Sequence, residues 1–187
     1  MAWQGQTVLL YFVRAIAGGL RLGWGWNHGI DGKRIGDSGG NTLEGEEGSD
    51  TLTSRDGWDT LLGDDGNDKL IGGHGGDRLT GGAGADHFIY TSAKDSVVAL
   101  DSIMDFRRTQ DKIDFSGLRL PKNSEFAVIG DHKFGHRAGE IQIDASDYPD
   151  KANDSLMLRV DLDGDAKADL QIVVDGLLHL GKDDFIF

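Results

Sequence analysis

Residues 63–89 read "GDDGNDKLI GGHGGDRLT GGAGADHFI", three blocks of nine in which the first and fourth positions are Gly, the sixth is Asp and the eighth is apolar. The same period runs back through "GDSGGNTLE", "GEEGSDTLT" and "SRDGWDTLL", giving six unbroken blocks over residues 36–89. The sixth position holds Asn41, Asp50, Asp59, Asp68, Asp77 and Asp86. The eighth holds Leu43, Leu52, Leu61, Leu70, Leu79 and Phe88. Gly occupies the fourth position throughout, and Ser54 is the one departure at the first. Upstream, "NHGIDGKRI" (residues 27–35) fits the pattern badly and reads as a degenerate turn of the same structure.

Three physical demands account for the pattern. A tight turn with backbone at positive φ favours Gly, which has no Cβ to clash. The last three residues, apolar in the middle, form a short strand with one side chain facing inward. The acid is expected to point out of the turn. Two blocks complete one circuit of strand, turn, strand and turn, so each layer takes 18 residues and lies about 4.8 Å from the next. A disordered acidic linker would not keep Leu or Phe at every eighth position.

Stacking sets the acids in two columns. Asn41, Asp59 and Asp77 share one turn edge, and Asp50, Asp68 and Asp86 share the other. Carboxylates repeated at that spacing repel one another unless a cation lies between them. Calcium fits this role because it accepts six to eight oxygens in flexible geometry, whereas magnesium holds to near-ideal octahedra and keeps its water. Four intervals follow from the spacing: 41/59, 59/77, 50/68 and 68/86. The nonapeptide is also the calcium signature of RTX, or haemolysin-type, repeats.

Charge makes the ion decisive. Residues 36–89 hold nine Asp and three Glu against three Lys or Arg, so −9 of the chain's −13 lies in this stretch. Without cations the segment combines self-repulsion, glycine entropy and only six inward hydrophobes, and it is expected to be unfolded. Extracellular calcium modules have Kd of roughly 10⁻⁴ to 10⁻³ M. At about ten times Kd, four such sites add about 5–6 kcal/mol, the stability of a whole domain.

Composition excludes several other classes. A net charge of −13 disfavours nucleic acid and anionic membrane surfaces. The absence of Cys removes disulfides, thiolate chemistry and Cys-rich zinc modules. The apolar run Val8–Leu20 is interrupted by Arg14, is too short to span a bilayer, and lacks the basic lead-in of a signal peptide. No stable membrane insertion is expected. Residues 1–35 read as a leader with the degenerate repeat at its end.

After Ile89 the period stops. "DSIMDF", "DKIDFSG", "FAVIG", "GEIQIDAS", "LMLRVDL" and "DLQIVVDG" read as short strands. Leu156, Leu158, Val160 and Leu162 share one face, as do Leu170, Ile172 and Val174, so these two form a hairpin around "DGDAKA". The expected architecture is all-β: a parallel β-roll of nonapeptide repeats over 36–89, then a small antiparallel, sandwich-like cap over 90–187. A cap covers the open edge that any solenoid leaves.

The hairpin loop places Asp161, Asp163, Asp165 and Asp169 at positions one, three, five and nine of an EF-hand-like loop. Ala166 stands where the turn glycine belongs and Ile172 where the bidentate Glu should be. A plain acidic turn and a weak extra calcium site both remain open.

The passage "GGAGADHFIYTSAKDSVVALDSIMDFRRTQDKIDFSGL", with "FGHRAGEIQI", "VDLDGDAKADLQIVV" and the terminal "DDFIF", resembles the C-terminal region of serralysin-type (peptidase M10) metalloproteases. The resemblance covers about residues 36–187. It implies a calcium-holding parallel β-roll followed by a β-sandwich used in type I secretion. It also implies that Asp184, Phe185, Ile186 and Phe187 form an export signal, although from chemistry alone they read equally as a last strand.

No zinc-protease motif accompanies this resemblance. H-E-x-x-H is missing from the sequence, and the G-x-S-x-G string "GDSGG" at residues 36–40 is the opening of the first nonapeptide, where the glycines are those of the repeat. His132 and His136 have the i, i+4 spacing, but "DHKFGH" lacks the Glu, and two His are too few for zinc. The expectation is therefore a non-enzymatic calcium-binding module of a secreted, extracellular protein, engaging type I secretion machinery through its C-terminus. The alternative is an accessory domain of a secreted protease, lipase or alginate epimerase, binding a polysaccharide or stabilising its host.

Overall fold

The computed structural model describes residues 31–96, 99–145, 155–177 and 179–187. The expectations for residues 1–30 lie outside these. Fourteen strands are described, beginning with β1 (Lys33–Ile35), β2 (Thr42–Glu44), β3 (Thr51–Gly57), β4 (Thr60–Leu62), β5 (Lys69–Gly75), β6 (Arg78–Thr80) and β7 (His87–Ile89). They continue as β8 (Asp101–Ile103), β9 (Lys112–Asp114), β10 (Ala127–Gly130), β11 (Glu140–Asp144), β12 (Ser155–Asp161), β13 (Leu170–Asp175) and β14 (Phe185–Ile186).

Successive blocks alternate between two sheets. One runs β1-β3-β5-β7-β9-β14 and the other β10-β11-β12-β13-β8-β6-β4-β2. Parallel registers Leu52↔Leu70 and Leu43↔Leu61 show the 18-residue coil directly. The degenerate upstream block joins in, because Lys33 pairs with Thr51 in the same register. Its eighth position carries Arg34 rather than an apolar residue, and Arg34 donates to the Gly45 carbonyl at 2.9 Å.

Inward side chains form two columns between the sheets. Leu52, Leu70, Phe88, Ile113 and Phe185 line one; Leu43, Leu61, Leu79, Ile103 and Val174 line the other. All are buried. Each eighth-position hydrophobe therefore packs on its counterpart in the layers above and below, and the roll's core is one residue wide per strand. At Gly57, Gly66, Gly75 and Gly84 the glycine at position four is forced by this stacking. Gly75 has φ of 138°, and a Cβ there would lie 1.6 Å from the Gly57 carbonyl oxygen.

All six strands expected after Ile89 are present, and β12 and β13 form the expected antiparallel hairpin. The antiparallel part is β11-β12-β13; around it, β8, β9 and β14 continue the roll's own sheets in parallel. Both sheets thus run unbroken past Ile89. Among the described residues no helix is long and apolar enough to cross a membrane.

Candidate metal-binding turns

Each turn begins where a strand ends against a glycine and closes on the acid that precedes the next strand. Asn41, Asp50, Asp59, Asp68, Asp77 and Asp86 are all buried. The sequence reading had the acid pointing out of the turn, and here it is corrected. The carboxylate folds back along the column and caps the amide of the layer before. The Asn41 amide donates to Asp59 Oδ1 at 2.5 Å, Asp59 to Asp77 at 2.8 Å, Asp50 to Asp68 at 2.7 Å and Asp68 to Asp86 at 2.9 Å. A backbone N–H inside a stacked turn needs an acceptor, and the acid supplies it.

That accounts for one oxygen of each carboxylate. The other, Oδ2, is buried without a hydrogen-bond partner in Asp50, Asp68, Asp77 and Asp86, while the carboxyls of Asp59 and Asp101 have the hydroxyls of Ser54 and Tyr90 beside them. A buried, unpaired carboxylate oxygen is costly, and a bound cation is one of the few ways to satisfy it. Burial, the largest influence, raises Asp68 to about 6, Asp77 to about 7 and Asp86 to about 6; neighbouring acids add to it and the amide bonds oppose it. Asp50 and Asp59 are raised for the same first reason. The donor set is all oxygen and multiply anionic, which fits a hard divalent cation.

The first-position glycines bound this space. A Cβ on Gly63, Gly72 or Gly81 would lie 2.5, 2.3 or 2.4 Å from the Oδ2 of its own block's Asp. Ser54, the one departure, is fully buried and donates its hydroxyl to the Gly72 carbonyl at 2.6 Å.

Both columns continue beyond the nonapeptides, which the sequence reading missed. The Asp77 amide donates to Asp101 Oδ1 at 2.9 Å, and the Asp86 amide to Asp111 Oδ1 at 3.1 Å. The signal was present: "DSI" at 101–103 and "DKI" at 111–113 repeat the Asp-x-apolar tripeptide that ends the blocks. Longer connections stretch the spacing to 24 and 25 residues and hide the period.

The hairpin loop brings together three of its four acids. Ligand atoms of Asp161, Asp163 and Asp169 lie within 4.8 Å of one another, the one such group of three among the described residues. Asp165 turns away to Lys167 Nζ at 2.8 Å. The Asp161 oxygens accept the Gly164 and Ala166 amides at 2.6 and 2.8 Å, and Asp169 Oδ2 accepts the Leu162 amide at 2.7 Å. These bonds organise a tight turn. His132 and His136 lie in an exposed loop, where His132 Nδ1 bonds the Ile129 carbonyl oxygen at 2.8 Å.

Residues 47–187 match the family model described as peptidase M10 serralysin C terminal. The chain belongs to that family. Its matched portion spans the stacked turns from Asp50 onward, the continuation strands and the hairpin. No curated protein matches the chain. Among solved structures, the AlgE6R2 subunit of the Azotobacter vinelandii mannuronan C5-epimerase is 29% identical, with TM-score 0.53, covering 86% of this chain and 92% of that one. The AlgE6R3 subunit of that epimerase is 24% identical with TM-score 0.41, covering 86% and 80%.

Proposed function

We propose that this chain is a calcium-binding RTX module of a secreted protein, one that folds when it meets extracellular calcium and supports type I secretion. The observation that carries the reading is the row of buried, unpartnered Oδ2 atoms, one per layer interval. Asp50, Asp59, Asp68, Asp77 and Asp86 would hold the ions of the four expected intervals, with Asn41 contributing a neutral oxygen to the first. Bound calcium supplies the positive charge that the stacked acids lack.

The C-terminus supports an ordered sequence of export and folding. Phe185 is buried and stacks on Phe115 with centroids 5.8 Å apart, and Asp184 is buried against Arg108 Nε at 3.0 Å. An exporter that reads Asp184–Phe187 must therefore meet them before the sheet closes. Low calcium inside the cell keeps the roll open, and millimolar calcium outside closes it. The absence of H-E-x-x-H, with the G-x-S-x-G string at residues 36–40 lying inside the repeat, supports a non-enzymatic role.

A second reading, an accessory domain for a polysaccharide-acting protein, is supported by the likeness to the epimerase subunit at 29% identity. Alginate binding that requires calcium would favour it. The primary reading is tested by calorimetric titration of the full chain with calcium and, separately, magnesium. It requires several calcium ions bound with Kd of roughly 10⁻⁴ to 10⁻³ M and much weaker magnesium binding.

A further inference from the structure

Of the five blocks with Asp at the sixth position, four open on Gly, and the missing Cβ leaves a space beside the acid. A Cβ on Gly45 would lie 2.3 Å from the Gly63 carbonyl oxygen and 3.0 Å from Asp50 Oδ2. One on Gly63 would lie 2.4 Å from the Gly81 carbonyl oxygen and 2.5 Å from Asp68 Oδ2. The space is thus bordered by the acid of one layer and the first-position carbonyl of the next, an oxygen lining that suits a hard cation. Gly72 beside Asp77 and Gly81 beside Asp86 leave the same opening at the carboxylate.

The block of Asp59 opens on Ser54 instead, and the serine side chain stands where the other four leave room. Ser54 is fully buried, and its hydroxyl donates at 2.6 Å to the carbonyl of Gly72, the first-position residue of the next layer. It also lies beside the Asp59 carboxyl, which burial raises and the hydroxyl holds down. The two kinds of oxygen that border the space in other blocks meet a hydroxyl in this one. The turn that follows is fastened by the chain's own groups as well. β3 and β5 are seven residues long where β2, β4, β6 and β7 are three, because their ladder runs on through the turn. It pairs Arg55 with Gly73, Asp56 with His74 and Gly57 with Gly75. His74 Nδ1 lies 3.0 Å from Asp56 Oδ1 across the same two layers.

We propose that Ser54 closes the space beside Asp59 to calcium, so that a serine hydroxyl fastens this rung where an ion fastens its neighbours. This rests on the calcium reading of the roll and narrows it at one rung. Ser54 is the residue that decides the occupancy there, through a Cβ that fills the space and a proton that serves the Gly72 carbonyl. The link between β3 and β5 at this turn then needs no ion. Asp50, Asp68, Asp77 and Asp86 keep their first-position glycines and their demand for a cation.

The test counts calcium ions on the full chain by equilibrium dialysis and native mass spectrometry, with folding checked by far-UV circular dichroism. Ser54→Gly gives the Asp59 block the residue of the other four and is expected to bind one ion more than the unaltered chain. Ser54→Ala keeps the Cβ, drops the hydroxyl and is expected to bind the unaltered number. An unchanged or lower count in Ser54→Gly overturns the closed space. A lower count in Ser54→Ala does so too, since that is what a hydroxyl serving as calcium ligand would give. Asp68→Asn is the control on the parent reading: one ion lost there, beside no gain in Ser54→Gly, overturns this inference and leaves that reading standing. No calcium on the unaltered chain overturns the two together. Should Ser54→Gly fail to fold in calcium, the count in Ser54→Ala decides alone.

Discussion

The amide of Asp59 donates to Oδ1 of Asp77 at 2.8 Å across eighteen residues, and the second oxygen of that carboxylate is buried with nothing to bond. One side chain thus has a backbone task and an ionic task, and the two can be separated by mutation. Asp77→Asn retains an acceptor and loses the charge; Asp77→Ala loses both. At calcium ten times Kd, losing one ion costs about 1.4 kcal/mol. Leaving the Asp59 amide buried and unpaired adds about 1–3 kcal/mol. Thermal unfolding in calcium should therefore rank the unaltered chain above Asp77→Asn, and Asp77→Ala lowest.

The glycine columns should respond according to position rather than residue type. Gly75→Ala forces a Cβ to 1.6 Å from the Gly57 carbonyl oxygen at φ 138°. It should destabilise the calcium-loaded roll by more than about 4 kcal/mol, the range reached only when a structural mechanism fails outright. Gly39→Ala meets nothing closer than Asp37 Oδ1 at 3.3 Å and should fold with a melting temperature within a few degrees of the parent. Equal effects in the two would refute the stacked-turn explanation.

Acidity should act on the metal-free chain in a direction unusual for carboxylates. Asp68, Asp77 and Asp86 are raised to about 6, 7 and 6, chiefly by burial, from the ordinary 3.8, and Asp101 to about 9. A group whose folded pKa is raised binds its proton more tightly in the fold. Its stabilisation is complete below the unfolded value and is lost as pH rises through the folded one. The metal-stripped chain should gain β signal on going from pH 8 to pH 5. Calcium affinity should fall over the same descent, since the ion requires deprotonated ligands. Circular dichroism of stripped protein and calcium isotherms at both pH values check the pair of trends.

The C-terminal strand ties the last residues to the core. Phe185→Ala removes a buried ring stacked on Phe115 and Phe187 and should cost about 3–5 kcal/mol in the calcium-loaded state. Denaturant unfolding in saturating calcium measures it; a loss under about 1 kcal/mol would show that β14 is dispensable to the fold.

Much of this was legible in the sequence because the repeat couples three separate needs to one period. Gly48, Asp50 and Leu52 each have a counterpart eighteen residues on, so turn, acid and core could be assigned by counting. The strands after Ile89 could be read from alternation, and the β12–β13 hairpin from the two apolar faces around "DGDAKA". Counting failed where loop length varies. Asp101 and Asp111 occupy the same structural position as Asp77 and Asp86, yet the connections before them add residues and break the period. Direction was hidden for a different reason. A carboxylate beside a turn can face solvent or the preceding layer, and only the stacked amide of the residue eighteen positions earlier decides between them. The pairing of β14 with β9 joins segments more than seventy residues apart, for which local pattern carries no information.

The central claim is that divalent cations between layers fold the roll. It is tested most directly by following the far-UV circular dichroism of the metal-stripped full chain at pH 8 through a calcium titration to about 10 mM, well beyond the Kd range of extracellular modules. The account predicts little β signal at the start and a cooperative gain between roughly 0.1 and 1 mM. A full β spectrum before any calcium is added, unchanged to the end of the titration, would contradict it.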